Sequence, residues 1–377
     1  MLRNTCAAAA LAMPFMMVGS VVLAQDAGFG SENRGTPAAE GLTRGVIDVD
    51  LAVEVAPRAL PEFDSDELSG FVETFSRQVL DVESMLELNG AVRRSADGTI
   101  TEMTAPEDFM ERAMRGLAPF GPEDGSGDQD EANAGDLTPR SVTPTTARQI
   151  TDGKEWPYRA IGLIAMLDEA GNVFSNCSGA LIGPNTVLTA AHCLYDQDGG
   201  GWVHDAVFVP GLTDLQGEGP PFGVFGWDDM IIHNGWITEY DGTIFSTLAY
   251  DIAVIILSRP VEGDDRGVGD FLGWLPVAPV PAGFPGYNSN LVGYPGDKPF
   301  GTMWHMGCPI NFEGMPTQFA GRDCVTAGGT SGGPMYIYFA DGDRRIILGT
   351  NIAGNDEMSI SLTIDAEHFA WLEYNWR

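Results

Sequence analysis

Basic side chains are scarce in this chain. Its 377 residues carry 20 Lys and Arg against 53 Asp and Glu, a formal net charge of −33. Such a balance excludes a nucleic-acid binder, which needs a basic patch, and speaks against adhesion to anionic membranes. Residues 25–140 hold 9 basic and 25 acidic side chains, and residues 141–377 hold 10 and 28. Both halves are acidic, so the charge is a property of the whole surface and not of a tail. Long apolar runs are also missing beyond the N-terminus, so no later segment reads as a membrane span. Cysteine is sparse, at 5 residues. No pair has CxxC spacing, which argues against a structural zinc site, and neither metal nor cofactor is expected.

The N-terminus holds the one extended apolar stretch. Arg3 precedes the run Ala7–Leu23, which Pro14, Gly19 and Ser20 interrupt, and Val22-Leu23-Ala24 offers a small-residue exit. This is the pattern of a secretory signal over residues 1–24, cut before Gln25. An exported chain follows, with no membrane attachment once the signal is gone. Cys6 lies too early to be lipid-modified at that cut, and its loss leaves Cys177, Cys193, Cys308 and Cys324. An even number in an exported chain implies two disulfides, and four cysteines allow three pairings.

After a weakly patterned stretch over 25–60, Asp64 with Glu67 has the form of a capping box. Phe71, Phe75, Val79, Val82 and Leu86 then recur at helical spacing up to Asn89-Gly90. Thr104, Pro106 and Glu107 start a second helix ending near Gly116. From Ala118 to Ala147 the composition shifts to Gly, Pro, Asp, Ser and Thr, which reads as an exposed linker. Exposed linkers are where processing cuts fall, and Pro139-Arg140-Ser141-Val142 is the candidate point. A helical pair ahead of such a linker reads as a propeptide over 25–140, with an independent interaction domain as the alternative.

Residues 141–377 are strand-rich. Ile161–Leu167, Thr186–Thr189, Ala206–Val209, Asp229–Ile232, Ile252–Leu257 and Ile346–Leu348 alternate with Gly, Pro and Asp clusters. Asp341-Gly342 signals a hairpin between Met335–Phe339 and Arg345–Gly349. Short strands without interleaved helices imply an all-β barrel or sandwich. The exception is Thr363–Arg377, where Phe369, Leu372 and Trp376 suit one face of a terminal helix.

One stretch invites a chemical reading. Gly328-Gly329-Thr330-Ser331-Gly332-Gly333-Pro334 sets a serine among glycines that let the backbone turn and leave amide N–H groups free. Thr189-Ala190-Ala191-His192-Cys193 offers a histidine after a strand. Tyr250-Asp251 followed by Ile252–Leu257 offers an aspartate at the mouth of another. A serine needs a base to become a nucleophile, histidine titrates near neutrality, and an aspartate can orient the imidazole. Asp241 is the rival carboxylate, but it stands in a turn beside Gly242. His204, His233, His305 and His368 lack comparable surroundings and read as ordinary polar positions.

In order and local sequence, these three motifs resemble the trypsin/chymotrypsin superfamily of serine peptidases. The resemblance covers roughly residues 141–377. Gly293-Tyr294-Pro295-Gly296-Asp297-Lys298, Met303-Trp304 and Arg148-Gln149-Ile150-Thr151-Asp152 are similar to stretches of its bacterial glutamyl-endopeptidase (V8-like) branch. The resemblance implies an all-β, two-barrel chymotrypsin-like fold with a C-terminal helix, preceded here by a small helical propeptide. It implies His192, Asp251 and Ser331 as a triad and the amides of Gly329 and Ser331 as the oxyanion hole. It favours the disulfides Cys177–Cys193 and Cys308–Cys324. Val325 and Thr326 should line the primary specificity pocket, and Asn351 is the nearest occupant of the place where that branch keeps a glutamate-binding histidine. Thr330 stands where many animal members carry an aspartate that pairs with the new N-terminus, so activation here must work differently.

The expectation is a secreted, monomeric serine endopeptidase made as a silent precursor and acting on proteins or peptides, with a neutral pocket. The alternatives are a catalytically silent relative that binds protein partners and a glutamate-specific endopeptidase. An esterase of the α/β-hydrolase class shares G-x-S-x-G, but the order His, Asp, Ser and the lack of βα alternation oppose it.

Overall fold

Apolar residues fill Ile161–Leu167 without a break, and all seven are buried, as a strand covered on both faces requires. This strand, β4, lies inside an eight-stranded sheet of order β2-β1-β10-β11-β6-β5-β4-β9. Its members are β1 (Ala91–Ser95), β2 (Ile100–Met103), β5 (Val173–Leu181), β6 (Thr186–Thr189), β9 (Asp205–Pro210), β10 (Trp227–His233) and β11 (Ala253–Leu257). An isolated bridge between Phe208 and Phe225 brings β9 back towards the β10 end. The second sheet runs β12-β15-β16-β17-β14-β13-β3. It comprises β3 (Arg148–Gln149), β12 (Tyr287–Gly293), β13 (Trp304–Asn311), β14 (Gln318–Arg322), β15 (Pro334–Phe339), β16 (Arg344–Gly354) and β17 (Met358–Thr363). Because β12 also pairs with β13, six of these strands close into a ring. Closure removes the exposed edges that would otherwise template aggregation.

This computed structural model describes Arg34, Leu51 and residues 81–116, 147–199, 201–215, 219–261, 264–280, 287–311, 318–322, 324, 326–339, 343–354 and 358–376. The expected signal, the Asp64–Val79 part of the first helix, the Arg140–Ser141 point, Val325 and the Asp341-Gly342 turn lie outside these residues. Among the described residues no helix is long and apolar enough to cross a membrane.

The fold is mostly β, with two chymotrypsin-like sheets and a C-terminal helix, as the resemblance implied. The hairpin partners β15 and β16 pair from Phe339↔Arg344 to Pro334↔Thr350. The terminal helix spans Ala366–Asn375, capped by Asp365, whose side chain accepts from the Glu367 and His368 amides. Both disulfides, Cys177–Cys193 and Cys308–Cys324, are present.

The segment before residue 117 is not purely helical. A helix over Val82–Leu88, capped by the Asp81 side chain, ends at Asn89, and another spans Phe109–Gly116. Between them β1 and β2 form a hairpin that joins the first sheet. Ala91↔His233 through Ser95↔Asp229 pair β1 with β10. Arg93 reaches Asp229 with two hydrogen bonds of 2.6 and 2.7 Å. Phe109 is fully buried and stacks on Tyr374 of the terminal helix at 6.3 Å.

The histidines depart from expectation. His204 is exposed, but His233, His305 and His368 are buried. They fill interior gaps where the ring finds hydrogen-bond partners, at both nitrogens in His305 and His368 and at Nδ1 in His233, which spacing along the chain does not reveal. His233 stacks on Tyr250 at 5.2 Å and packs beside Trp371. His368 donates from both nitrogens, to the Asp365 carboxylate and to the Ala249 carbonyl. His305 Nε2 lies 2.9 Å from Asn290 Oδ1, and its Nδ1 lies 3.0 Å from the Tyr158 hydroxyl. An acceptor at one end and donors at the other fix a neutral ring protonated at Nε2.

Two outcomes follow. Phe109→Ala in the full chain is expected to lower unfolding stability by about 3–5 kcal/mol, the cost of a large core deletion. Chemical denaturation checks it, and an unchanged midpoint contradicts packing of this segment into the core. The second concerns pH. Burial, with Arg148 and Arg345 adding repulsion, pulls His305 from 6.5 down to about 4. Between those values the unfolded chain binds the proton and the folded one does not, so stability is full above about 6.5 and is lost as pH falls towards 4. The stability difference between wild type and His305→Gln should therefore shift by roughly 3 kcal/mol against wild type over that window. A difference that stays constant from pH 7 to pH 4 contradicts it.

Candidate active site

Two strand ends set the site. β6 pairs with β11, and Thr189 lies opposite Ala253. His192 follows Thr189 by three residues, in the short turn Ala191–Cys193, and Asp251 precedes Ala253 by two, just after the turn Leu248–Tyr250. The register therefore delivers imidazole and carboxylate to the same end of the sheet. His192 Nδ1 lies 2.7 Å from Asp251 Oδ2, and the His192 backbone N–H donates to Asp251 Oδ1 at 2.9 Å. Asp251 is fully buried and holds the carboxylate in one orientation by both bonds. A carboxylate can only accept, so Nδ1 carries the proton and Nε2 is left with its lone pair. That lone pair faces Ser331, whose Oγ is 2.7 Å away.

Ser331 is supplied by the loop ahead of β15. Its carbonyl accepts from the Ser178 amide at 2.7 Å, while Gly332 N–H donates to Asn351 O and Asn351 N–H donates to Gly333 O. The loop is thereby held between β5 of the first sheet and β16 of the second. Gly332 adopts φ 76° against Thr189 Oγ1 and the Ser178 carbonyl, where a Cβ would sit 2.1 and 2.3 Å from them. The disulfide Cys177–Cys193 ties β5 to the histidine turn. Asp241, the rival carboxylate, stays in an exposed turn and accepts from Thr243.

Gly329 is at φ 91°, and a Cβ there would lie 2.4 Å from the Tyr294 carbonyl and 2.7 Å from Asn176 Nδ2. Among the described residues, nothing accepts from the amides of Gly329 or Ser331. Two unclaimed amides flanking a serine that faces an imidazole can stabilise an oxyanion. The reading of the sequence missed what supports them. Ser178 Oγ donates to the Gly329 carbonyl at 2.7 Å and accepts from the Tyr294 amide at 3.0 Å. Asn176 Nδ2 donates to the Tyr294 carbonyl at 3.1 Å. The only signal for these roles was their position beside Cys177.

The expected pocket residues divide. Val325 lies outside the described residues. Thr326 is buried, and its Oγ1 has no partner among the described residues. Asn351 is buried as well, and its Nδ2 donates to Thr330 Oγ1 at 3.3 Å. Thr330 spends its own proton on the Ala327 carbonyl at 2.7 Å, so it can only accept from Asn351, and this fixes the amide orientation. The Asn351 carbonyl oxygen likewise has no partner among the described residues. The Thr330 hydroxyl is thus held by two neutral groups, the Ala327 carbonyl and the Asn351 amide.

A metal site does not fit these donors. Cys177, His192 and Cys193 do converge within 4.8 Å. However, the two sulfurs are bonded to each other, and both nitrogens of His192 are engaged.

Comparisons with known proteins give a trypsin family match, relatives named as peptidases and a solved structure of like fold. The family described as Trypsin matches residues 150–268. The chain is 30% identical over 238 residues, 62% of its own length and 70% of the relative's, to a protein of Bacillus subtilis (strain 168) named extracellular metalloprotease. It is 31% identical over 189 residues, 50% of its length and 52% of the relative's, to a glutamyl endopeptidase of Bacillus licheniformis. A solved structure of a Glu endopeptidase in complex with MPD superposes with a TM-score of 0.50 at 21% identity, covering 62% of this chain and 98% of that one.

Gly329→Ala is expected to lower kcat on a peptide substrate by a hundredfold or more, the usual loss on disturbing one oxyanion donor. Ser178→Ala should give a smaller loss in kcat with KM little changed. A Gly329→Ala enzyme within tenfold of wild type contradicts this assignment.

Proposed function

The chain belongs to the trypsin family of serine peptidases, and we propose that it is an endopeptidase using Ser331, His192 and Asp251 through an acyl-enzyme. The observation that carries this is the unbroken chain of contacts from the Asp251 carboxylate through His192 to Ser331 Oγ. Ser331 Oγ attacks the scissile carbonyl carbon as its proton passes to His192 Nε2. The oxygen gains negative charge and is met by the amides of Gly329 and Ser331. His192 returns the proton to the departing amine, leaving an ester on Ser331. Water then attacks that ester with His192 again as base, which releases the acid and restores the serine. Asp251 keeps Nδ1 protonated and stabilises the imidazolium formed in each half.

The same reading includes export after removal of residues 1–24 and processing near Arg140–Ser141, in a protein that acts as a monomer on proteins or peptides. Support for export comes from the name of the Bacillus subtilis relative and from the apolar N-terminus. Specificity departs from that of the named glutamyl endopeptidases. Asn351 gives one of its two N–H groups to Thr330 and keeps Oδ1 as an acceptor without a partner among the described residues. Asn351 has no positive charge to hold a glutamate carboxylate and its Oδ1 repels one, whereas an uncharged side chain with an N–H to give finds an acceptor there. Thr326 Oγ1 can serve either kind of partner.

Two measurements test this. Ser331→Ala should abolish peptide hydrolysis while the unfolding midpoint is kept, and activity within tenfold of wild type would remove the serine from the mechanism. A library varied at P1 should show neutral residues, glutamine among them, cut at least tenfold faster than glutamate. Glutamate outrunning every neutral residue a hundredfold contradicts the pocket.

A further inference from the structure

The hairpin and helix ahead of the linker are built into the catalytic body. β1 covers β10 over five register pairs, and the ladder is extended at both ends by Ala96 N–H to Asp228 O and Asn234 N–H to Gly90 O. Asp229 is 3% exposed at its side chain, and its partners include Arg93, bonded through both oxygens, and Ser95 Oγ at 2.7 Å. Trp371 Nε1 of the terminal helix donates to the Gly90 carbonyl at 3.1 Å. Phe109 is buried against Tyr374, and Arg112 lies over the same ring at 4.7 Å. The Tyr374 hydroxyl donates to Asp108. Among the described residues, none of 81–116 bonds to His192, Asp251 or Ser331.

These contacts join what a released propeptide would have to break. Its departure would leave the β10 backbone groups that face β1 without their ladder, strip the Arg93 guanidinium from a buried carboxylate, and take from Trp371 the Gly90 carbonyl it donates to. Nor does the segment have the place of an inhibitor, since the bonds described run to β10, to the terminal helix and, through Arg94, to the Val203 and His204 carbonyls. We propose that residues 81–116 form a permanent second chain of the mature enzyme. After a cut in the stretch between 116 and 147 they remain seated on β10 and on Ala366–Asn375, pinned by the Arg93–Asp229 pair. The proposal rests on the processing described under the proposed function, but its test does not depend on catalysis.

The experiment uses the full exported chain carrying Ser331→Ala, so that it cannot digest itself, with a recognition sequence for a site-specific protease inserted between Gly125 and Ser126. After complete cutting, shown on a denaturing gel, the two pieces are passed through a sizing column under native conditions at micromolar concentration. Co-elution as one species is expected, and an added Arg93→Ala should weaken the association at least tenfold, read as fragment released on dilution. Separate elution of the N-terminal piece from a body that keeps its unfolding midpoint overturns the proposal. Equal release with and without Arg93→Ala overturns the pinning role of the ion pair. Wild-type enzyme cut in the same way and labelled with a fluorophosphonate reports on the serine mechanism separately, so failure of one reading does not obscure the other.

Discussion

The pairing of β6 with β11 is the constraint on which the rest depends. Thr189 opposite Ala253 puts the ends of two fully buried strands side by side. A slip of one residue would turn every side chain over and exchange the packed neighbours on each face, so close packing of these strands specifies the register. The core thus fixes the relative position of His192 and Asp251 before either makes a hydrogen bond. The disulfide Cys177–Cys193 and the Ser178 contacts then align the serine loop with that pair. Burial of Asp251 makes the arrangement demanding as well as ordered, since a buried carboxylate must be fully hydrogen-bonded. It is met by the His192 amide and imidazole together.

Much of this was legible in the sequence, for local reasons. His192, Asp251 and Ser331 each stand at a strand end or in a glycine loop, and strand ends are marked by composition. β4 and β6 fall where continuous apolar runs place them. What was not legible depends on partners far along the chain. The β1–β2 hairpin did carry a signal, the Asp97-Gly98 turn with Gly98 at φ 86°. Its strands are short and polar, and their fit to the sheet comes from Asp229, 136 residues beyond Arg93. The buried histidines are alike in this respect, because His305 is held by Tyr158 and Asn290, and neither is its neighbour in sequence. Asn351 was placed by resemblance, but the direction of its amide could be known only from Thr330 and Ala327.

The same two sheets serve stability and chemistry by different edges. The β10 edge is covered by the N-terminal hairpin and the terminal helix, where large side chains such as Phe109 and Trp371 are buried. The opposite requirement holds at Gly329 and Ser331, whose amides have no acceptor among the described residues. A fold can leave such donors unsatisfied only where the surrounding bonds hold the backbone, and here Ser178, Asn176 and Tyr294 do so.

The central claim is that Ser331 is the nucleophile and that its reactivity comes from His192. The most direct measurement is reaction of the native protein with a fluorophosphonate, with the modified residue mapped by peptide mass spectrometry and the remaining peptidase activity followed, alongside a parallel sample treated with a metal chelator. A single adduct on Ser331, loss of activity in step with labelling, no labelling in a His192→Ala variant and full activity after chelation are the predicted results. Activity that disappears with the chelator and survives labelling, or an adduct on another residue, would contradict the account.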